Sequence, residues 1–197
     1  MTKTLYLMRH GQTLFNKRHR IQGWCDAPLT DLGVYQAQVA GQYFKNAGVV
    51  FDAAYSSTSE RACDTLEIVT NGSLPYQRVK GLKEWNFGTF EGESEDLNPP
   101  LPYEDFFVTY GGESQDQVRE RMAATILQLM QETKGKSVLM VSHGGAMANF
   151  ARAWEDNWRL DNLGHMTNCG ILKFSFEDDQ FYLEEAIGHD FSGWEEK

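Results

Sequence analysis

Hydrophobic and polar positions divide the chain into short apolar runs separated by amphipathic stretches. Residues 5–8 are continuously apolar and lead into Arg9-His10-Gly11. Residues 138–141 do the same and lead into Ser142-His143-Gly144-Gly145. Apolar runs this short, closed by glycine, predict strands buried on both faces, each delivering a histidine at its C-terminal end. Thr30 is placed to cap a helix running to about residue 46, with Val34, Ala37, Gly41 and Phe44 along one face. A strand is predicted over 51–56, a helix over about 59–69 with Ala62, Leu66 and Val69 in helical spacing, and a third strand over 76–79. Ser114 and Gln117 form a capping box for a helix carrying Val118, Met122, Ile126, Leu129 and Met130. A further helix is expected over about 146–154. Strands over 170–176 and 180–186, joined by Glu177-Asp178-Asp179, read as a hairpin on the sheet edge. Residues 11–29 read as polar and irregular, and 192–197 as a loose tail. The strand–helix rhythm predicts βαβ units and an α/β fold with a mostly parallel sheet, whose carboxyl rim is where such folds bind ligands.

Residues 88–113 break that rhythm. They hold four glycines and three prolines and neither lysine nor arginine, and read as a lid-like excursion near the cleft. With 197 residues and 41% apolar content, one domain spanning 1–197 is expected. No run approaches the roughly 18 apolar residues of a membrane span, so no membrane partner is expected. The first strand begins directly after Met1-Thr2-Lys3, so no signal peptide is expected. Three cysteines without close spacing (Cys25, Cys63, Cys169) read as reduced thiols of a cytoplasmic protein rather than a disulfide framework or zinc site. A net charge of −10 argues against nucleic acid as partner. It does not exclude a small phosphorylated substrate. Bulk charge is screened beyond about 8 Å at physiological salt, and a local arginine cluster can dominate a cleft. No long apolar stripe is left unassigned, so the sequence assigns no oligomeric state.

The candidate chemistry clusters at strand ends. Arg9 follows a buried strand, a costly position unless the guanidinium meets an anion, and Gly11 lets a ligand approach the backbone. Arg61 lies just inside a helix start, where the macrodipole disfavours cations. It is either a surface arginine or one that forks onto an anion held at that helix end. Glu84 lies among Leu82, Trp85 and Phe87. Apolar surroundings disfavour the charged carboxylate, which suits a general acid; a surface glutamate paired with Lys83 is the alternative. Lys17-Arg18-His19-Arg20 is the chain's basic run, either a solvated face or the rim that receives an anion, and Asn16 before it offers an amide donor. Two histidines, two arginines and a carboxyl, with no HExxH, Walker loop, GxGxxG or GxSxG, fit phosphoryl transfer to a histidine nucleophile.

Leu7-Met8-Arg9-His10-Gly11-Gln12-Thr13 with Asn16, Gln22-Gly23-Trp24, Asp26-Ala27-Pro28-Leu29-Thr30, Ser56-Ser57 to Arg61-Ala62 with Thr65, Glu84 with Phe87-Gly88 and Glu91-Gly92, and Val141 to Gly145 together resemble the histidine phosphatase, or phosphoglycerate mutase-like, superfamily. The resemblance implies a three-layer α/β/α sandwich with a mostly parallel central sheet. It implies His10 as the phosphorylated nucleophile, Arg9, Arg61 and His143 around the phosphoryl group, and Asn16, Gln22, Gly23 and Gly144 as further phosphate-binding positions. Glu84 would be the proton donor and acceptor, with no metal and no organic cofactor. Mutases of the family that use 2,3-bisphosphoglycerate carry an Arg-Arg pair and a triple proline after the acid block. Here no cation lies between Lys83 and Arg119, and Glu91, Glu93, Glu95, Asp96, Glu104 and Asp105 crowd that segment. The expected activity is therefore a metal-independent phosphatase acting on a small phosphorylated metabolite. A phosphoglycerate mutase is the alternative, and a non-catalytic binding protein on the same fold is a third reading. Specificity is expected from Arg18, Arg20, Trp24, the acidic excursion and the surroundings of His165.

Overall fold

The computed structural model describes residues 2–164 and 166–195; His165 and the last two positions of the tail lie outside the described residues. Six strands form one sheet: β1 (Lys3–Arg9), β2 (Ala53–Ser56), β3 (Gln77–Arg78), β4 (Ser137–Ser142), β5 (Ile171–Glu177) and β6 (Gln180–Ile187), in the order β3-β2-β4-β1-β5-β6. β3, β2, β4 and β1 run parallel, while β5 pairs antiparallel with both β1 and β6. The sheet is therefore mixed and mostly parallel, and the expected hairpin forms its edge. The third strand is shorter than expected, two exposed residues rather than four.

Alternation along the strands sorts side chains to two faces. Leu5 and Leu7 of β1 and Val138 and Met140 of β4 point to one side, against α4 (Gln115–Glu132) and α5 (Gly144–Arg152). Tyr6, Met8, Leu139 and Val141 point to the other, against α2 (Asp31–Asn46) and α3 (Glu60–Val69). The layers are thus α/β/α. Thr30 accepts the Gly33 N–H at the start of α2, and Ser114 with Gln117 closes the expected capping box on α4. The stretch read as irregular contains one turn of helix, α1 (Leu14–Lys17), capped by a second box of Thr13 and Asn16. A single polar turn has no apolar period, so no hydrophobic pattern announces it. The tail is held as far as Trp194, whose ring packs against Tyr35 at 5.4 Å. Among the described residues no helix is long and apolar enough to cross a membrane.

The register between β1 and β4 sets Arg9 beside Ser142, so His10 and His143 leave the sheet side by side at its carboxyl rim. α2 presses onto the loop that follows His10. A β-carbon on Gly33 would run into the Gln12 carbonyl, and one on Gly11 would lie 2.5 Å from the Gly33 carbonyl oxygen. Gly33→Ala should therefore cost about 1–3 kcal/mol through overpacking and lower activity by displacing the backbone that holds His10. Denaturant unfolding and kcat/KM measured on the same variant check both effects.

Candidate active site

The rings of His10 and His143 lie 5.2 Å apart, and both are buried. His10 Nδ1 is 2.7 Å from the carbonyl oxygen of Gly11, its own neighbour. A carbonyl only accepts, so Nδ1 carries the proton and Nε2 keeps a lone pair. Burial, reinforced by the charges of Arg61 and Arg9, holds the His10 pKa well below the ordinary histidine value. The imidazole is neutral and its tautomer is set. His143 is shifted down in the same way, by burial first and then by Arg61, His10 and Arg9. Its Nε2 meets the Ser57 hydroxyl at 2.8 Å. That hydroxyl has a second outlet, Ser59 Oγ, only at 3.4 Å. A ring whose Nε2 accepts from that hydroxyl carries its proton on Nδ1.

Arg61 is not the surface arginine that its position at a helix start allowed. It is fully buried, and its guanidinium forks onto the 23–26 loop: Nη2 donates to the Gly23 carbonyl at 2.8 Å, and Nη1 to the Cys25 carbonyl and the Asp26 carboxylate Oδ1 at 2.9 Å each. Arg9 donates from Nη1 to the Met166 carbonyl at 2.7 Å. Arg9 Nε, Arg61 Nε, His143 Nδ1 and Gln22 Nε2 are all buried and make no hydrogen bond among the described residues. A buried donor left unpaired costs about 1–3 kcal/mol. Several such donors beside one neutral imidazole suit an anion. Asn16 and Gln22 are aimed by their own oxygens. Asn16 Oδ1 accepts from the Thr13 N–H and Asn168 Nδ2, and Gln22 Oε1 accepts from the Thr13 hydroxyl, leaving each amide nitrogen as the donor.

Glu84 is buried, but not in the apolar setting expected. Oε1 accepts from the Trp85 and Ala146 N–H groups at 2.8 and 2.7 Å, and Oε2 from the Gly145 N–H at 2.9 Å. The carboxyl lies over the first turn of α5, where unpaired N–H groups and the helix dipole meet it. Two of those donors come from about 60 residues away, so the neighbouring sequence reads apolar while the site does not. Lys83 turns from it and lies over the Trp24 ring at 4.8 Å.

A cleft of about 630 Å³ opens above these groups. Arg9, His10, Asn16, Gln22, Glu84 and Gly144 reach its wall, while Arg61, His143 and Gly23 stand behind it. Gly23 is committed to the scaffold: its N–H donates to Glu91 and its carbonyl holds Arg61. Of the basic run, Arg20 lines the cleft and the exposed His19 faces Glu95 at 3.5 Å. Trp24 lies outside the cleft, its indole N–H donating to the Glu84 carbonyl at 2.9 Å. The excursion supplies Glu95, Asn98, Leu101, Pro102 and Tyr103 to the outer wall. Sequence reasoning missed three contributions. Asn149 and Arg152 line the cleft from α5, and their signal was there: Gly145, Ala148, Asn149 and Arg152 fall at i, i+3, i+4 and i+7, one stripe of that helix. Glu91 accepts the N–H groups of Gly23, Trp24, Cys25 and Phe87 at 2.7–3.1 Å and so folds the loop that holds Arg61. Burial and this carboxylate push the Cys25 thiol up to about 12. All three cysteines are free. Among the described residues no three His, Cys, Asp or Glu side chains gather as a metal ion would require.

The profile of the histidine phosphatase superfamily (branch 1) matches residues 5–187. A 2,3-bisphosphoglycerate-dependent phosphoglycerate mutase of Parvibaculum lavamentivorans is 31% identical over 172 residues, covering 75% of this chain and 77% of its own. A metal-independent phosphoserine phosphatase of Arabidopsis thaliana is 28% identical, covering 89% and 88%. The crystal structure of a phosphoglycerate mutase from Bacillus anthracis superposes with a TM-score of 0.81 at 28% identity, over 93% of this chain and 92% of that one.

The depressed histidines carry a pH signature. Below about 6.5 the unfolded chain protonates both imidazoles while the native state holds them neutral, so the unfolded state binds more protons and stability falls as pH drops. Each contributes about 1.4 kcal/mol per pH unit once charged in the unfolded chain. Denaturant midpoints between pH 7 and pH 5 should decline, and the decline should be shallower in a His10→Asn/His143→Asn variant. Imidazole NMR resonances of His10 should hold their neutral shifts well below pH 6.5.

Proposed function

The chain belongs to branch 1 of the histidine phosphatase superfamily, and we propose that within it this enzyme hydrolyses a small phosphomonoester through a phosphohistidine on His10, without a metal. The observation that carries the reading is the neutral His10, with buried N–H donors nearby that have no partner among the described residues. A phosphoryl group placed there receives Arg9 Nε, Arg61 Nε and His143 Nδ1 on its oxygens, with the amides of Asn16 and Gln22 beside them. His10 Nε2 attacks phosphorus, the P–O bond to the leaving oxygen breaks, and the arginines balance the charge on the transferring oxygens.

The leaving alkoxide needs a proton, and Glu84 is the acid at the cleft wall. Its Oε1 already accepts two N–H bonds and its Oε2 one. Oε2 is thus the oxygen with room for a proton. Glu84 releases that proton to the leaving group, then takes one from water as the hydroxide attacks the phosphohistidine, which restores His10 and liberates phosphate.

Support for hydrolysis over mutase chemistry comes from the outer cleft. A mutase must hold a second phosphate and let a doubly phosphorylated intermediate turn around. The excursion brings Glu95 and uncharged side chains to that wall and no cation. Arg20 and Arg152 reach the cleft from elsewhere, so the outer cleft is less bare of positive charge than the sequence suggested. That observation, with the mutases among the relatives, keeps phosphoglycerate mutase as the second reading. Free thiols support a cytoplasmic setting.

Phosphate release from p-nitrophenyl phosphate and a panel of metabolite phosphates should survive EDTA and vanish in His10→Ala. Rapid acid-free quenching should trap a base-stable, acid-labile phosphoenzyme. Glu84→Gln should lower kcat/KM for alkyl phosphates by about 10²–10⁴-fold. Formation of 2-phosphoglycerate from 3-phosphoglycerate in the presence of 2,3-bisphosphoglycerate would instead establish the mutase.

A further inference from the structure

Residues 83–87 carry Glu84 yet belong to no helix or strand. No ladder of backbone hydrogen bonds holds the acid in place, so something else must. The structure shows a side chain doing it. Arg121, in the second turn of α4, uses its whole guanidinium edge. Nη1 donates to the carbonyls of Gly81 and Lys83 at 2.9 Å each, and Nη2 to the carbonyl of Glu84 at 3.1 Å. Nε and Nη2 also fork onto Glu113 Oε1 and Oε2 at 2.8 and 2.9 Å. Glu113 extends the brace: Oε2 accepts the Asn86 N–H at 2.9 Å, its carbonyl accepts the Trp85 indole N–H at 2.7 Å, and its own N–H donates to the Asn86 carbonyl at 2.8 Å. Both side chains are largely buried.

We propose that Arg121, locked by Glu113, is a positioning residue that sets where the Glu84 carboxyl stands relative to the leaving oxygen. The proposal rests on the acid role assigned to Glu84 above. The two carboxyl oxygens are tied to α5, and the carbonyl of the same residue is tied to α4 through Arg121. The fork fixes orientation because a planar guanidinium donates along set directions. A lysine at 121 keeps the charge but has one nitrogen in place of three, so it cannot span Gly81, Lys83, Glu84 and Glu113 together. Displacing the acid by a fraction of an ångström removes proton delivery while leaving Arg9, His10 and His143, placed by the ends of β1 and β4, where they stand.

The test separates positioning from fold stability by the leaving group. p-Nitrophenolate departs without a proton, whereas an alkoxide needs one. Steady-state kcat/KM, which reports P–O cleavage, is measured for p-nitrophenyl phosphate and for glycerol 2-phosphate on wild type, Arg121→Lys, Arg121→Met, Glu84→Gln and Glu84→Gln/Arg121→Lys, at a temperature where circular dichroism shows each folded. The expected result for Arg121→Lys is a loss of about 10- to 100-fold on the alkyl ester, a loss of less than about threefold on the aryl ester, and no further loss when added to Glu84→Gln. Equal losses on both esters would overturn the positioning role, as would additive losses in the double variant. If Glu84→Gln itself shows no preference for the alkyl ester, the acid role falls first. If Glu84→Gln shows it and Arg121→Lys does not, the positioning proposal alone falls. Should Arg121→Met fail to fold, Arg121→Lys carries the test.

Discussion

Two guanidinium groups, Arg61 fully buried and Arg9 partly so, beside two buried imidazoles set the terms for the rest of this site. Arg61 is fully buried, and the one carboxylate on it, Asp26, shares it with two backbone carbonyls. Among the described residues Arg9 is held by a single carbonyl, and burial lowers its pKa. Burying cations on partners that are mostly neutral is costly. The cost falls on the neighbours as well: together with burial, the two charges keep His10 and His143 neutral. The same arrangement that disfavours protons on the histidines favours an anion between them. Neutral imidazoles and a positive surrounding are therefore two consequences of one placement.

Holding those charges requires a stiff scaffold in a region with little regular structure. The solution recurs three times, each time a charged side chain satisfying several main-chain groups. Glu91 accepts four N–H groups and shapes the loop whose carbonyls hold Arg61. Glu84 accepts three and joins its own loop to the start of α5. Arg121 covers three carbonyls of residues 81–84. Irregular backbone near a cleft has no ladder partners, and charge-assisted bonds are the strong substitutes.

This division explains what could be read in the sequence. The strands, their burial on both faces and the two helix caps follow from local pattern, since alternation and capping residues act over a few positions. The meeting of His10 and His143 followed too, because two buried runs ending in His-Gly suit neighbouring parallel strands. What escaped depends on distant chain. The polar collar of Glu84 comes from Gly145 and Ala146, and the binding of Arg61 to the loop at 23–26 spans about 35 residues. Trp24 looked like a specificity residue and instead braces the Glu84 carbonyl. Gly23, expected beside the phosphate, lends its N–H to Glu91 and its carbonyl to Arg61. Arg152 was legible as the end of a helical stripe, but only once α5 is known to turn that stripe toward the cleft.

The Gly144-Gly145 pair shows how closely the two levels are joined. A β-carbon on Gly144 would lie 3.3 Å from Arg9 Nε, one of the unpaired donors; a β-carbon on Gly145 would lie 2.9 Å from Glu84 Oε1. Consecutive residues at the start of one helix thus leave room for the cation on one side and for the acid on the other. Neither glycine has a left-handed backbone, so conformational freedom is not the reason for either. The reason is space. Two glycines after a histidine read in sequence as a turn; in the fold they are the gap that brings the Arg9 guanidinium and the Glu84 carboxyl to the same helix end.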